Sequence, residues 1–319
     1  MNGSRIIPNL FIVGAPKCGT TAMNTYLGQH PDIFTTSYTE SNYFAIDLIS
    51  VNDPFRSCEK YFYLFKESGD KKIIGEKSVY YLLSKDAAVN IYRFNPQAKI
   101  IIMLRNPVDM LQSYHAQQLY NKHEVINHFE SALKAEAART KSNISTNKLL
   151  RFKEKLYYSQ VVSYTEQVQR FLSLFSKEQV LVIIYDDFKK DTAGVYRKTL
   201  EFLNVDATFQ IDFPVINARK IISANSRNNQ GSHKLFFLSV IEQSPLLLNF
   251  TEKIVPKPIR KYLLRFLRGS EPVNQQNQQY PPMSPRTRKK LQNKYRLEVK
   301  RLSVLLGRDL NYWCNDIKQ

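Results

Sequence analysis

Between Leu10 and Leu27 the chain passes from an apolar run, through a loop hinged on glycine, to a helical pattern, and few folds begin that way. Leu10–Val13 is continuous in its apolar character and stops at Gly14. Gly14-Ala15-Pro16-Lys17-Cys18-Gly19-Thr20-Thr21 follows as a polar loop, and a helix is predicted from Thr20 to about Leu27. Gly28 suits the position just past that helix, and Pro31 bars its continuation. Strand, glycine loop, helix is the opening of an α/β nucleotide-binding domain.

Comparable apolar runs recur at Lys72–Gly75, Lys99–Leu104 and Gln179–Tyr185. They do not alternate with polar residues, which suits parallel strands covered on both faces. Helical patterns lie between and beyond them: Lys85–Phe94, Pro107–Asn121, Val125–Arg139, Ser159–Phe175 and Thr192–Leu203. Near the C-terminus Ser284 and Pro285 form an N-cap and first-turn pair. Leu291, Tyr295, Val299, Leu302 and Leu306 then mark one apolar face, and Gly307 ends the helix. The expected architecture is a single α/β domain over residues 1–319, a central parallel sheet flanked by helices. Its nucleotide-binding elements are expected at 9–30, 73–81, 99–115 and 179–187, with acceptor-side loops and basic helices at 228–319.

Charge narrows the class of partner. Lys and Arg number 46 against 28 Asp and Glu, a net charge of +18. Residues Val255–Gln319 hold 15 basic and 4 acidic side chains. Such an excess points to an anionic partner: nucleic acid, membrane, acidic polysaccharide or phosphorylated ligand. Cys18, Cys58 and Cys314 are scattered and odd in number, so neither a zinc spacing nor a disulfide framework is expected, and a reducing cytoplasm is. The N-terminal apolar stretch is too short for a signal-peptide core, and no run of 18 apolar residues spans a membrane. At most, peripheral contact with anionic surfaces is expected.

The first loop has the chemistry of a phosphate cradle. Its glycines let backbone N–H groups approach an oxyanion, the helix start adds a positive dipole end, and Lys17 adds a full charge. Gly-Lys followed by Ser or Thr is missing, so the loop is not the Mg²⁺-binding phosphate loop of kinases and ATPases. Nor is it the dinucleotide pattern. A small-molecule or nucleoside kinase is therefore the second enzymatic reading, and a basic membrane- or nucleic-acid-binding protein is a non-enzymatic one.

Gly-x-Pro-Lys-x-Gly-Thr-Thr after a first strand resembles the 5′-phosphosulfate loop of sulfotransferases, enzymes that use 3′-phosphoadenosine 5′-phosphosulfate (PAPS). The resemblance is closest to the heparan-sulfate-modifying branch and its soluble bacterial relatives, and it covers nearly the whole chain. Arg105, with Ser113 eight residues on, looks like the family's 3′-phosphate pair. Gly75-Glu76-Lys77-Ser78-Val79-Tyr80-Tyr81 looks like its second lysine segment. Leu156-Tyr157, Tyr164, the Val180–Ile184 run, Asp186-Asp187 and the stretch from Pro281 to Trp313 are similar to its later elements.

The resemblance implies a sulfotransferase that moves a sulfuryl group from PAPS to a hydroxyl or amine, with a carbohydrate as the first expected acceptor. A lipid or secondary-metabolite hydroxyl is the alternative acceptor. It implies no metal and no nucleic-acid partner. Lys17, Cys18, Gly19, Thr20, Thr21, Arg105 and Ser113 would hold the nucleotide, with Arg227 from a late basic loop. Lys17 and Lys77 would neutralise the leaving phosphate. Thr39-Glu40-Ser41-Asn42-Tyr43-Phe44 looks like the segment that carries the catalytic Glu, which makes Glu40 the general base. That branch often has His two residues after the Glu. Asn42 stands there instead, unable to relay a proton but able to orient the carboxylate. His115 is the second candidate base, although on a helix it points away from Ser113. Glu76 is expected to pair with a basic group. Cys18 is expected to act through its backbone N–H rather than as a nucleophile.

Acceptor specificity is expected from 120–150 and 228–282. Within the latter, Ile259–Arg268 would form a helix with Tyr262, Leu263, Phe266 and Leu267 on one face, packed first of all as an ordinary surface helix, second as a wall of the acceptor cleft that steers an anionic or lipid-linked substrate, and third as a helix in a membrane interface.

Overall fold

Leu10–Gly14 forms strand β1, all five of its residues buried. It has a parallel partner on each side: β3 (Ile73–Lys77) and β4 (Lys99–Leu104). The outer strands are β2 (Ile33–Thr35), beside β3, and β5 (Val180–Ile184), beside β4. The five-stranded order is β2-β3-β1-β4-β5, parallel throughout. A parallel sheet needs a crossover after each strand, and helices supply the cover that makes both faces apolar. Ile100, Ile101 and Ile102 of β4 are fully buried on alternating faces, each worth roughly 1.5–3 kcal/mol of apolar transfer.

A computed structural model of the chain describes residues 7–36, 40–142, 151–214 and 280–315. Contacts divide the chain into two units, 1–218 with 282–319, and 219–281. The first is the α/β domain. Arg227, the expected helix at 259–268 and nearly all of the expected acceptor segment 228–282 lie outside the described residues.

Helix α1 (Thr20–Leu27) starts where the hydroxyl pair predicts, and α4 (Pro107–Tyr120) is capped by the Asn106 side chain with Pro107 in its first turn. Helices α2 (Cys58–Tyr63), α3 (Ala87–Phe94) and α5 (Phe129–Ser142) precede the 3-10 turn Lys153–Leu156. The continuous helix expected over Ser159–Phe175 is instead two, α6 (Tyr158–Val161) and α7 (Tyr164–Leu172). Ser163 lies between them, its hydroxyl donating to the Ser159 carbonyl at 3.0 Å. α8 (Tyr185–Lys190) leaves β5 without a loop, and α9 (Thr192–Phe202) follows.

The last helix, α10 (Pro285–Leu306), is capped by Ser284 and ended by Gly307, whose φ of 60° is the left-handed value glycine adopts without strain. Leu291, Tyr295, Val299 and Leu302 form its buried face. The chain end then locks onto the start of α8. Trp313 Nε1 donates to Asp186 at 2.8 Å, and Arg308 grips Asp187 through both carboxylate oxygens. That grip holds the Asp187 carboxyl below its ordinary range.

Candidate active site

The parallel register brings three strand ends to one edge of the sheet. Lys77 lies opposite Ile12 and Ile102 lies opposite Gly14, so the first loop, the end of β3 and the end of β4 are neighbours. Ligands of open α/β sheets bind outside the carboxyl ends of the strands.

The loop turns on Gly14, Lys17 and Gly19, with φ of 144°, 62° and 87°. At Gly14 a Cβ would stand 2.6 Å from the Val79 carbonyl oxygen, so glycine is required for the close pass against the chain after β3. No side chain caps the start of α1, which leaves its first N–H groups for an outside acceptor. Lys17 Nζ donates to Gln117 Oε1 at 3.1 Å. Gln117 is one helical turn past Ser113, so both lie on the face of α4 turned to the loop. Arg105 donates to the Lys17 carbonyl at 3.3 Å, and its guanidinium lies 4.7 Å from the Tyr185 ring centre. Lys17, Thr20, Thr21, Arg105 and Ser113 thus come from the loop, α1, the end of β4 and α4, and each carries a group able to donate to an anion.

Cys18 is fully buried, with its thiol on the Pro16 carbonyl at 3.3 Å, and burial pushes it up to about 12.

Glu40 and Lys77 form an ion pair. Lys77 is almost enclosed, its side chain 4% exposed, whereas Glu40 at 25% is open to a ligand. Arg151 fixes the backbone beneath Glu40, donating to the carbonyls of Glu40 at 3.0 Å and Ser41 at 2.6 Å while paired with Asp53. That pairing holds the Asp53 carboxyl below its ordinary range against the effect of burial.

Three expectations need revision. Asn42 does not touch the Glu40 carboxylate: its Nδ2 donates to the Glu40 carbonyl at 3.3 Å, in a left-handed turn at φ 52° that Asn tolerates better than most residues. Glu76 has no basic partner among the described residues. Successive strand residues face opposite sides, so while Lys77 meets Glu40, Glu76 enters the core. There it accepts hydroxyls from Tyr61 and Tyr81 at 2.7 Å, Ser78 at 2.9 Å, and Ser41. Burial raises its pKa and those donors oppose the rise. His115 is a packing residue. It is fully buried, Nε2 meets the Ile126 carbonyl at 2.9 Å, and its ring lies against Phe129 and Tyr158. Burial lowers its pKa.

Gln117, Arg151 and Lys155 were not singled out from the sequence. Gln117 had a readable signal, its place one turn past Ser113. Arg151 and Lys155 come from a stretch with no motif; only the fold brings Arg151 beneath Glu40 and sets Lys155 against the rings of Tyr80 and Phe152.

The α/β domain thus lines up along one sheet edge a glycine-turned loop at the start of α1, an arginine just past β4 and a carboxylate–lysine pair at the end of β3. The sulfotransferase domain family model matches residues 8–235, and the chain belongs to that family, an enzyme class. A sulfotransferase from Alicyclobacillus acidocaldarius has a similar structure, with a TM-score of 0.70 and 27% identity, covering 97% of this chain and 100% of that one. The chain is 25% identical over 199 residues to the bifunctional heparan sulfate N-deacetylase/N-sulfotransferase 1 of Caenorhabditis briggsae, covering 62% of this chain and 23% of that protein. It is 25% identical over 253 residues to mouse carbohydrate sulfotransferase 15, covering 63% of this chain and 44% of that protein. The chain thus spans less than half the length of these curated relatives.

Proposed function

We propose that this chain transfers a sulfuryl group from PAPS to a hydroxyl or amine of a carbohydrate, in line, with Glu40 as general base. The observation that carries the proposal is the Glu40–Lys77 pair at the end of β3, beside a loop equipped for phosphate. The carbohydrate acceptor is suggested by the relatives named for carbohydrate and heparan sulfate transfer.

PAPS, when bound, supplies an activated sulfuryl group bridged to a 5′-phosphate. Lys17, the N–H groups of Cys18 and Gly19, and Thr20 and Thr21 would hold that phosphate, while Arg105 and Ser113 would grip the 3′-phosphate. Arg227, carried over from the family's late basic loop, is a further candidate nucleotide ligand. Glu40 takes the proton of the acceptor as its oxygen or nitrogen bonds to sulfur. Lys77 and Lys17 stabilise the negative charge that collects on the bridging oxygen as the old S–O bond breaks. Binding and charge stabilisation supply most of such a transfer, as they do for phosphoryl groups. Lys77 must exchange Glu40 for the donor during this step, and the openness of Glu40 gives the acceptor room to enter. We place the activity in the cytoplasm, since three cysteines scattered along the sequence give no disulfide framework.

Incubation with PAPS labelled in its sulfate and a panel of desulfated glycans, lipids and small alcohols tests this reading. Label is expected in a glycan. Phosphoryl transfer from Mg²⁺-ATP with none from PAPS would replace the reading with a kinase.

A further inference from the structure

Arg105 and Tyr185 are the first residues past two neighbouring strands, β4 and β5, whose last residues Leu104 and Ile184 lie opposite each other in register. That register sets the guanidinium 4.7 Å from the centre of the Tyr185 ring. A flat cation on a ring is held in one plane, and the plane decides which phosphate oxygens its paired N–H groups can reach. One ring and a 3.3 Å bond to the Lys17 carbonyl are modest restraints on a side chain with as many rotamers as arginine. The residues that follow the pair in the chain, Asn106 and Asp186, are both tied to a further segment, the 3-10 turn Asn311–Cys314 beyond α10.

The ties are direct. Asn106 Nδ2 donates to the Trp313 carbonyl at 3.1 Å, while its Oδ1 accepts from the Val108 N–H at 3.0 Å and caps α4. On the other side, Asp186 Oδ2 accepts from Trp313 Nε1 at 2.8 Å and from the Tyr312 hydroxyl at 3.1 Å. Trp313 therefore joins the segment that carries Arg105 to the one that carries Tyr185, its backbone holding the first and its indole the second. The indole is buried, 2% exposed, so its bond cannot be traded for one to water unless the turn undocks. The turn is itself anchored at both ends: Arg308 grips Asp187 before it, and Gln292 of α10 donates to the Asn315 carbonyl at 2.9 Å after it.

We propose that Trp313 is a positioning residue of the nucleotide site, a clasp across the ends of β4 and β5 that aims Arg105 at the 3′-phosphate of the donor. This rests on Arg105 as the ligand of that phosphate. Trp313 acts through Asn106 and Asp186, and through the Tyr185 ring that Asp186 adjoins. The 5′-phosphate would be held by the loop after β1, which turns on its own residues Gly14, Lys17 and Gly19. Loosening the clasp should therefore cost the 3′-phosphate contact and spare the 5′ one.

Trp313→Phe keeps an aromatic ring in the core and removes the indole N–H. Isothermal titration in EDTA reads its effect without turnover. 3′-Phosphoadenosine 5′-phosphate is expected to bind the variant roughly tenfold more weakly than wild type, the worth of a guanidinium–phosphate contact, with AMP within about twofold. In turnover the KM for PAPS is expected to rise by a similar factor with kcat little changed. Asp186→Ala, which keeps Trp313 and removes its acceptor, is expected to show the same selective loss, and the double variant no more than either, since both break one contact. It also carries the test alone should Trp313→Phe not fold. Unchanged affinity for the bisphosphate in a natively folded variant overturns the proposal, and so does an equal loss for both nucleotides. Tighter binding of both by Asp186→Ala overturns it too, by reducing Asp186 to a repelling charge. If wild type holds the two nucleotides equally, Arg105 is not the 3′-phosphate ligand, and the clasp falls with that reading.

Discussion

Lys17 Nζ and Gln117 Oε1 meet at 3.1 Å and tie the first loop to α4, one turn beyond Ser113. The loop lysine is thus held ready by a neutral partner that costs little to exchange for an anionic ligand. A carboxylate in the same place would compete with the donor.

Lys17→Ala is therefore expected to lower kcat more than it weakens binding of 3′-phosphoadenosine 5′-phosphate, since charge on the leaving oxygen is greatest in the transition state. Steady-state kinetics beside calorimetry decide it. An unchanged kcat would remove Lys17 from the chemistry.

Much of this was legible in the chain because local signals agreed with the fold. Lys99–Leu104 is apolar throughout and needs both faces covered, so strand and parallel pairing followed together. Ser284-Pro285 and Gly307 bracket α10 in the same way. The strand at Lys72–Gly75 was placed short of its end because β3 runs on through Glu76 and Lys77, charged residues that become strand only by finding Tyr61, Tyr81 and Glu40 across the fold. β2 has three residues, too few for any period to show, and α8 follows β5 directly with no turn residue to mark it. At the site, the loop, Arg105 and Glu40 were readable from their motifs. Arg151 was not, because nothing in its own stretch of sequence shows that it will meet the Glu40 and Ser41 carbonyls and Asp53.

Glu40→Gln is expected to retain fold and nucleotide binding while losing ~10²–10⁴ in rate, the usual range for a general base. His115→Gln is its control: it disturbs packing against Phe129 and lowers thermal stability, with kcat of the folded protein within about threefold. A Glu40→Gln enzyme as fast as wild type, beside an inert His115→Gln, would reverse the assignment.

The enclosed Lys155 has a signature in stability. Its pKa in the fold, about 8, lies below the ordinary lysine value of 10.5. Between those two the unfolded chain binds the proton that the folded chain has shed, so this group's contribution rises with pH over that window and is lost as pH falls to about 8. Lys155→Met lacks the effect. Its advantage in Tm over wild type should therefore shrink from pH 8 to pH 10, and a constant difference would place the amine in water.

Alkylation separates the cysteines. Exposed Cys58 should react with iodoacetamide at pH 8 within minutes, and Cys18, buried and pushed up to about 12, should react only on unfolding. Mass spectrometry of the native protein reads both. Early labelling of Cys18 would mean that the first loop is open.

The central claim is that the edge formed by the first loop, Arg105 and Ser113 binds a nucleotide with phosphates at both the 5′ and 3′ positions. Isothermal titration with 3′-phosphoadenosine 5′-phosphate and with AMP, both in EDTA, tests it most directly. The account predicts at least about tenfold tighter binding of the bisphosphate, the worth of a charge-assisted guanidinium–phosphate contact. Equal affinities for the two nucleotides would contradict it.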